Sequence, residues 1–296
     1  MAKAAIKKVV IPVAGLGTRS LPFTKVVPKE LVPVLNTPTI HFIVEEVVAA
    51  GIEQVVFVTS SGKTALEDYF DVNDALVRTL RARGKEELAE CVEKTSQLCE
   101  IISVRQKEPL GLGHAVLCAA PVIGDEPFAV ALGDEIFPPW DPTAPKGPLA
   151  ILAEQASKQS SSVIGVMKVP REQTGSYGIV DVGSAEVGAA PVAVKATVEK
   201  PRPEKAPSEY AIVGRYVFAP EILDRLRTVK PGVGGEIQLT DAMSALAAEG
   251  ALYASAVQGC RYDTGSLLGY VKAQVDAGLR DPSIAGPLKD YLRTLK

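Results

Sequence analysis

The chain is predicted to fold as an α/β protein: a doubly wound, mixed but mostly parallel sheet with a small added β region and C-terminal helices. Two observations carry that expectation. Strand-like and helix-like segments alternate up to Asp134, the pattern of βαβ units feeding a parallel sheet. The first strand-like segment, residues 8–14 (KVVIPVA), is a continuous apolar run, as expected of a strand covered on both faces.

The elements follow in order. A glycine-bearing loop comes after the first strand. Asn36-Thr37-Pro38 then offers a cap with proline at the first helical position. Ile40, Val44, Val47 and Val48 recur at helical spacing, and Gly51 is a natural stop. Residues 55–59 (VVFVT) read as the next strand, and the charged, periodic stretch 63–98 reads as helical. Residues 101–105 and 128–132 (FAVAL) are further strands, with a helix over 114–120 between them. After Asp134 the texture changes. Residues 137–148 (FPPWDPTAPKGP) form a proline-rich loop. Strands are expected over 163–169, 178–182, 192–198 and 210–219, a short helix over 220–226, and helix from Gly265 to the end. Within 192–198, Val192, Val194, Ala196 and Val198 fall on one face and Lys195, Thr197 and Glu199 on the other. That alternation suggests a half-exposed strand.

Composition narrows the functions. A chain of 296 residues builds a core without a disulfide or metal staple. Lys plus Arg number 32 and Asp plus Glu 35, a net charge of −3, so no general nucleic-acid partner is expected. A local phosphate pocket needs only a few cations. Cys91, Cys99, Cys118 and Cys260 show neither CxxC nor zinc-ligand spacing. His41 and His114 are the only histidines, which argues against a structural zinc site and a histidine-based triad. No run of about 18 uninterrupted apolar residues occurs, and the apolar run at the start is too short for a signal peptide. No membrane partner and a reducing, cytoplasmic compartment are therefore expected.

In doubly wound sheets ligands sit outside the carboxyl ends of the strands. Ala14-Gly15-Leu16-Gly17-Thr18-Arg19 stands there. Glycines let backbone N–H groups approach an anion, and Arg19 adds a bidentate phosphate donor. The plainer alternative is a tight βα turn with one surface arginine. A dinucleotide fingerprint would need glycine where Ser20 stands. Gly62-Lys63-Thr64 has the tail of a Walker A motif, but Phe57 occupies its first glycine. Ser60 and Lys63 match SxxK without the companion motifs. Pro28-Lys29-Glu30 follows closely, so Arg19, Lys25 and Lys29 make a cation density that suits a triphosphate. Taken alone, it also fits a solvated loop.

With GLGTRSLPFTKVVPKELVPV over residues 15–34, the chain resembles the sugar-1-phosphate nucleotidyltransferases. Further blocks agree in order. They are Gln106 with LGLGHAV (110–116), Leu132-Gly133-Asp134-Glu135, Val198-Glu199-Lys200-Pro201, Gly214-Arg215-Tyr216-Val217, GEIQLTDA (235–242) and Arg261-Tyr262-Asp263-Thr264-Gly265. The resemblance covers roughly residues 8–275 and leans to the uridylyl-transferring branch.

That resemblance implies a Rossmann-like nucleotidyltransferase core and the reaction of UTP with glucose 1-phosphate to give UDP-glucose and pyrophosphate. It implies one domain over 1–296, with a nucleotide-binding half (1–135), a sugar-binding half (136–265) and a C-terminal helical segment (266–296). Asp134 and Asp263 would hold Mg²⁺, in keeping with its preference for one or two carboxylates plus substrate phosphates. Arg19 and Lys29 would bind the triphosphate and act as the catalytic cations, with Lys25 a weaker candidate. Gln106 would pair with a uracil edge through an amide that both donates and accepts. Ala14, Gly15 and Gly111 would add backbone contacts to the base, and Gly17, Glu30 and Gly133 would lie near the nucleotide. Lys200 would take the sugar phosphate. Glu199, helped by the Gly178 backbone, would take glucose hydroxyls. Arg215, Glu236 and Gln238 read as scaffold or subunit-contact residues, and His114 as packing or capping. A homo-dimer or homo-tetramer is implied. Rival readings are the same chemistry with dTTP or another sugar 1-phosphate, a non-catalytic relative that binds a nucleotide sugar, and an NAD-dependent oxidoreductase, which Ser20 disfavours.

Overall fold

The computed structural model describes residues 5–141, 144, 146–232 and 235–295. The first half runs β1 (Lys8–Pro12), a glycine loop with three short 3-10 turns, β2 (Pro33–Val34), β3 (Thr37–Pro38), α1 (Thr39–Ala49), β4 (Gln54–Thr59), α2 (Ala65–Phe70), α3 (Asp74–Ala82), α4 (Glu86–Ser96), β5 (Glu100–Arg105), α5 (Leu112–Cys118), α6 (Ala120–Ile123) and β6 (Phe128–Ala131). The second half runs β7 (Glu135–Ile136), α7 (Gly147–Gln159), β8 (Ser162–Lys168), β9 (Gly178–Asp181), β10 (Val192–Ala193), β11 (Ala196–Glu199), β12 (Tyr210–Phe218), α8 (Glu221–Thr228), α9 (Leu239–Ala248), β13 (Leu252–Ala256), β14 (Tyr262–Asp263), α10 (Leu267–Gly278) and α11 (Ala285–Thr294).

Ten strands share one sheet, with main path β10-β13-β8-β12-β6-β1-β4-β5 and with β9 and β11 branching from β12. β6, β1, β4 and β5 are parallel neighbours. β8 and β13 run the same way, separated from them by antiparallel β12. The sheet is thus mixed, with one dominant strand direction, as expected. Residues along β1 alternate between two apolar layers. Val10 packs with α5, α8 and α9, while Val9 and Ile11 pack with α1 and α7. Both faces being covered explains why KVVIP carries no exposed polar face. The carboxyl ends of β1, β4, β5 and β6 therefore open on one edge.

Several local expectations are corrected. Pro38 is not the first helical residue. It pairs with Pro33 in a small hairpin, where Leu35, at φ 55, and Asn36 make the turn. The stretch 63–98 is three helices. Asn73 interrupts it by accepting from Leu76 N at 3.0 Å, and Gly84 ends α3 at φ +70. Residues 192–198 form two strands with different partners, β10 on β13 and β11 on β9. The change of partner resets the alternation, so Thr197 is buried and Val198 exposed. Burial of Thr197 is compensated because its hydroxyl donates to Thr240 O at 2.6 Å. Helix α7 begins at Gly147, with Pro148 in its first turn, inside the stretch expected to be loop. Pro142, Thr143 and Pro145 of that loop lie outside the described residues. Strand β13 and helices α7 and α9 were not expected from periodicity. Among the described residues no helix is long and apolar enough to cross a membrane.

Candidate active site

β1 ends at Pro12, and the chain turns through Ala14 to Gly17 over the sheet edge. Gly17 sits at φ +65, and a Cβ there would meet Thr24 Cγ2 at 3.0 Å. Thr24 Oγ1 donates to Gly17 O at 2.7 Å and holds the loop shut behind it. Among the described residues no hydrogen-bond acceptor pairs with the loop N–H groups of Ala14, Gly15, Leu16 or Gly17. Donors left free at a sheet edge are available to an anion.

Two carboxylates meet beside it. Asp134 follows β6, and Asp263 ends β14. The short ladder β7–β14 pairs Glu135 with Asp263, and Thr264 donates to Asp134 O from its N–H and its hydroxyl, each at 2.9 Å. The chain thereby brings two distant carboxylates together through backbone pairing. Gly265 shows how closely. A Cβ there would lie 2.8 Å from Arg19 Nη2, 2.9 Å from Asp134 Oδ2 and 3.1 Å from Asp263 Oδ1. Both carboxylates thus converge on one point that glycine alone leaves open, and hard oxygen donors in that disposition suit Mg²⁺.

Lys29 Nζ lies 2.7 Å from Asp134 Oδ2, and Arg19 reaches it at 3.3 Å and Asp263 at 3.8 Å. Burial pushes the Asp134 carboxyl upward, but Lys29 and then Arg19 outweigh it and hold it below the ordinary carboxylate range. Burial lowers Lys29, yet Asp134 and Glu30 keep its ammonium above its usual value. Asp263 moves the other way, raised by burial and by the charge of Asp134. The arrangement favours the charged forms of both Lys29 and Asp134, an ammonium and a carboxylate held as a pair.

Glu30 differs from its expected place. It is fully buried, with Oε2 3.0 Å from Lys63 Nζ and Oε1 without a hydrogen-bond partner. Burial raises its carboxyl against the pull of Lys63 and Lys29. Its side chain packs under Gly133, whose Cβ would meet Glu30 Cγ at 3.0 Å. Glu30 is therefore a counter-charge beneath Lys29, out of ligand reach.

Across a cleft of about 840 Å³ stand Glu199, Lys200, Glu236, Gln238 and Arg261. Glu199 Oε1 lies 3.1 Å from Lys200 Nζ, and Oε2 accepts from Thr240 Oγ1 at 3.2 Å. Lys200 adopts φ 44, although it precedes Pro201 and carries a side chain, both unfavourable there. Its N–H bond to Tyr177 O, 3.0 Å, holds it in place. Gly178 packs closely, its Cβ position 3.0 Å from Thr240 Cγ2 and 3.4 Å from Glu199 Oε2.

The scaffold reading of Glu236 and Gln238 needs correcting, because both line this cleft, joined by a 2.9 Å bond from Gln238 Nε2 to Glu236 Oε2. Two backbone bonds place them: Ile237 N to Leu110 O at 2.8 Å, and Gly113 N to Ile237 O at 2.9 Å. Gly111, at φ +93, leaves room for Glu236, whose Cβ would otherwise be 2.8 Å away. Gln106 is buried at the end of β5, and its amide nitrogen donates to Gly111 O at 3.1 Å. Arg215 is the buried scaffold. It binds Glu46 at 2.8 Å, Glu135 O at 2.8 Å and Gly214 O at 2.9 Å, clamping the segment that carries Asp134. Arg261, which the site reading passed over, ion-pairs with Glu135 and lies over Tyr177 with its guanidinium 5.4 Å from the ring centre. Its signal was its place two residues before Asp263 in a block already singled out.

A mixed doubly wound sheet with free loop donors, two neighbouring carboxylates and a flanking cation pair at its carboxyl edge suits a nucleotide-handling transferase. Residues 8–278 match the nucleotidyl transferase family, and the chain belongs to it. It is 46% identical over 290 residues to the UTP–glucose-1-phosphate uridylyltransferase of Bacillus subtilis strain 168, covering 98% of this chain and 97% of that protein. A solved structure described as UTP-bound UGPase from Acinetobacter baumannii superposes with a TM-score of 0.90 at 40% identity, over 98% of this chain and 100% of that one. A UDP-glucose pyrophosphorylase complexed with UDP-glucose matches with a TM-score of 0.81 at 37% identity, over 92% and 98% of the two chains.

Proposed function

We propose that this chain transfers the uridylyl group of UTP to glucose 1-phosphate, giving UDP-glucose and pyrophosphate. The observation that carries the mechanism is the convergence of Asp134, Asp263 and Arg19 around Gly265, with Lys29 on Asp134. The sugar-phosphate oxygen attacks the α-phosphorus in line. That oxygen is already ionised at neutral pH, so no general base is needed. The work of the site is to hold two anions together and aligned.

Backbone N–H groups of Ala14, Gly15 and Gly17 and the Arg19 and Lys29 cations receive the nucleotide. As the bond to the leaving pyrophosphate breaks, charge grows on its oxygens, and Arg19 and Lys29 stabilise it. Asp134 and Asp263 would hold the Mg²⁺, which would shield the reacting phosphates from each other. The Ala14, Gly15 and Gly111 backbones and Gln106 frame the base side, with Gly133 near the nucleotide. On the other wall Lys200 takes the sugar phosphate, while Glu199, with the Gly178 backbone, accepts from glucose hydroxyls. The nucleotide thus sits on residues 1–135 and the sugar on 136–265 of one domain, with residues 266–296 as a helical extension. A homo-dimer or homo-tetramer in the cytoplasm completes the reading.

The test is pyrophosphate release from UTP, glucose 1-phosphate and Mg²⁺, with dTTP in a parallel reaction and EDTA in a third. Release with UTP, lost in EDTA and weak with dTTP, is expected. Preference for dTTP overturns the base assignment and keeps the mechanism. Binding of UDP-glucose without release in any reaction indicates a non-catalytic nucleotide-sugar binder.

A further inference from the structure

Arg261 stands between the two walls of the cleft and touches both. On one side its Nε donates to Glu135 Oε2 at 2.5 Å, with both side chains only 10% exposed. Glu135 is next to Asp134 and pairs with Asp263 in the β7–β14 ladder. On the other side the guanidinium lies over the Tyr177 ring, and Nη1 comes within 3.9 Å of Met167 Sδ. Tyr177 and Met167 both pack on a small apolar cluster of Val169, Ile179 and Ala211. Ile179 is on β9, the partner of the strand that ends in Glu199. Lys200 depends on the same tyrosine. Pairing of Gly178 with Glu199 sets Lys200 beside Tyr177, and its N–H donates to Tyr177 O at 3.0 Å. A residue with a side chain at φ 44 before a proline persists only where its surroundings hold it. The carbonyl that holds Lys200 thus belongs to the residue that Arg261 covers.

We propose that Arg261 is a positioning residue: it braces Tyr177 against Glu135 and so fixes the span between the Lys200 ammonium and the carboxylates of Asp134 and Asp263. A guanidinium suits that task, because its edge binds a carboxylate while its face lies on an aromatic ring. A lysine keeps the charge and has no face. In-line attack needs both reactants held at a set separation, so a slack brace is felt first by the substrate that Lys200 binds. This inference rests on the reading of Lys200 as the sugar-phosphate cation and names the group that sets its place.

The test reads kcat and KM for each substrate. Arg261→Lys keeps a charge beside Glu135 and removes the flat face. Tyr177→Leu leaves the Arg261–Glu135 pair whole and removes the ring, whereas Tyr177→Phe keeps the ring. Arg261→Lys and Tyr177→Leu are each expected to raise KM for glucose 1-phosphate about tenfold, the weight of one desolvated cation–π contact, with KM for UTP unchanged. Tyr177→Phe is expected to match the parent. Because the two residues act as one brace, the double variant is expected to lose no more than either single variant. Losses that multiply in the double variant overturn the brace, since each side chain then acts alone. A rise in KM that is equal for both substrates, or no rise, overturns it too. Tyr177→Phe losing as much as Tyr177→Leu assigns the effect to the hydroxyl and overturns the stacked contact. If Arg261→Lys does not fold, the two Tyr177 variants decide by the same outcomes. No turnover of UTP and glucose 1-phosphate by the parent overturns the functional reading and the brace with it, whereas normal turnover beside unaffected variants overturns the brace alone.

Discussion

The two walls of the cleft are built on opposite principles. The wall at the carboxyl ends of β1 and β6 offers donors and cations: loop N–H groups, Arg19 and Lys29, steadied from below by the buried Glu30–Lys63 pair. The facing wall offers mostly acceptors and hydroxyls: Glu199, Glu236, Gln238 and Thr240, with Lys200 at its rim and the Arg261 charge tied up by Glu135. The first is suited to phosphate oxygens, which only accept. The second is suited to a sugar, whose hydroxyls donate. The two lysines differ in exposure, Lys29 at 20% and Lys200 at 62%, whereas Arg19 on the first wall is as exposed as Lys200, at 63%.

Removing the carboxylate between the walls is the strongest way to break this division. Asp134→Ala is expected to lower kcat by about 10³-fold or more, as losses of centrally placed electrostatic groups do, with the thermal transition retained. Near-normal turnover of a folded variant sinks the metal assignment. Next comes the seam. Arg215→Ala leaves Glu46 buried without its partner and is expected to cost about 3–5 kcal/mol, read by denaturant unfolding. A loss below about 1 kcal/mol, the scale of a surface pair, would show that the clamp is incidental.

The sharper comparison lies between substrates. Lys200→Ala is expected to raise KM for glucose 1-phosphate far more than for UTP, a loss of about 2–4 kcal/mol of transition-state stabilisation. An equal effect on both substrates counts against a sugar-side role. The mildest effect is in pH. Burial and Asp134 raise the Asp263 carboxyl, so it takes up a proton at a higher pH than a free aspartate. Since metal ligands must be deprotonated, Mn²⁺ affinity is expected to fall as pH drops through that raised value. The loss should begin above the ordinary aspartate range. Affinity that holds flat down to that range would place the metal elsewhere.

The first wall was legible because its chemistry is local. Ala14 to Arg19 and Lys29 lie in one short stretch, and Asp134 closely follows an apolar strand, where the chain must emerge at the sheet edge. Glu236 and Gln238 were not, because a backbone ladder to residues 110–113 puts them in the cleft, and no periodicity reports such a pairing. Arg215 was readable in principle: a lone arginine amid YAIVGRYVF must find a buried carboxylate, but Glu46 sits on a distant helix. Glu30 misled because its neighbour Lys29 faces the site while Glu30 itself turns inward. The split of residues 192–198 was hidden for a similar reason, since which strand each half would join depends on tertiary partners.

Gly265 has a consequence for sequence change. Its missing side chain is the space on which Asp134, Asp263 and Arg19 converge. A methyl group there would stand within 3.1 Å of one atom of each of those three side chains, so any side chain at 265 must push at least one of them aside. Position 265 is thus constrained by the side chains of its neighbours rather than by a left-handed backbone, and a single added carbon there reaches three charged groups at once.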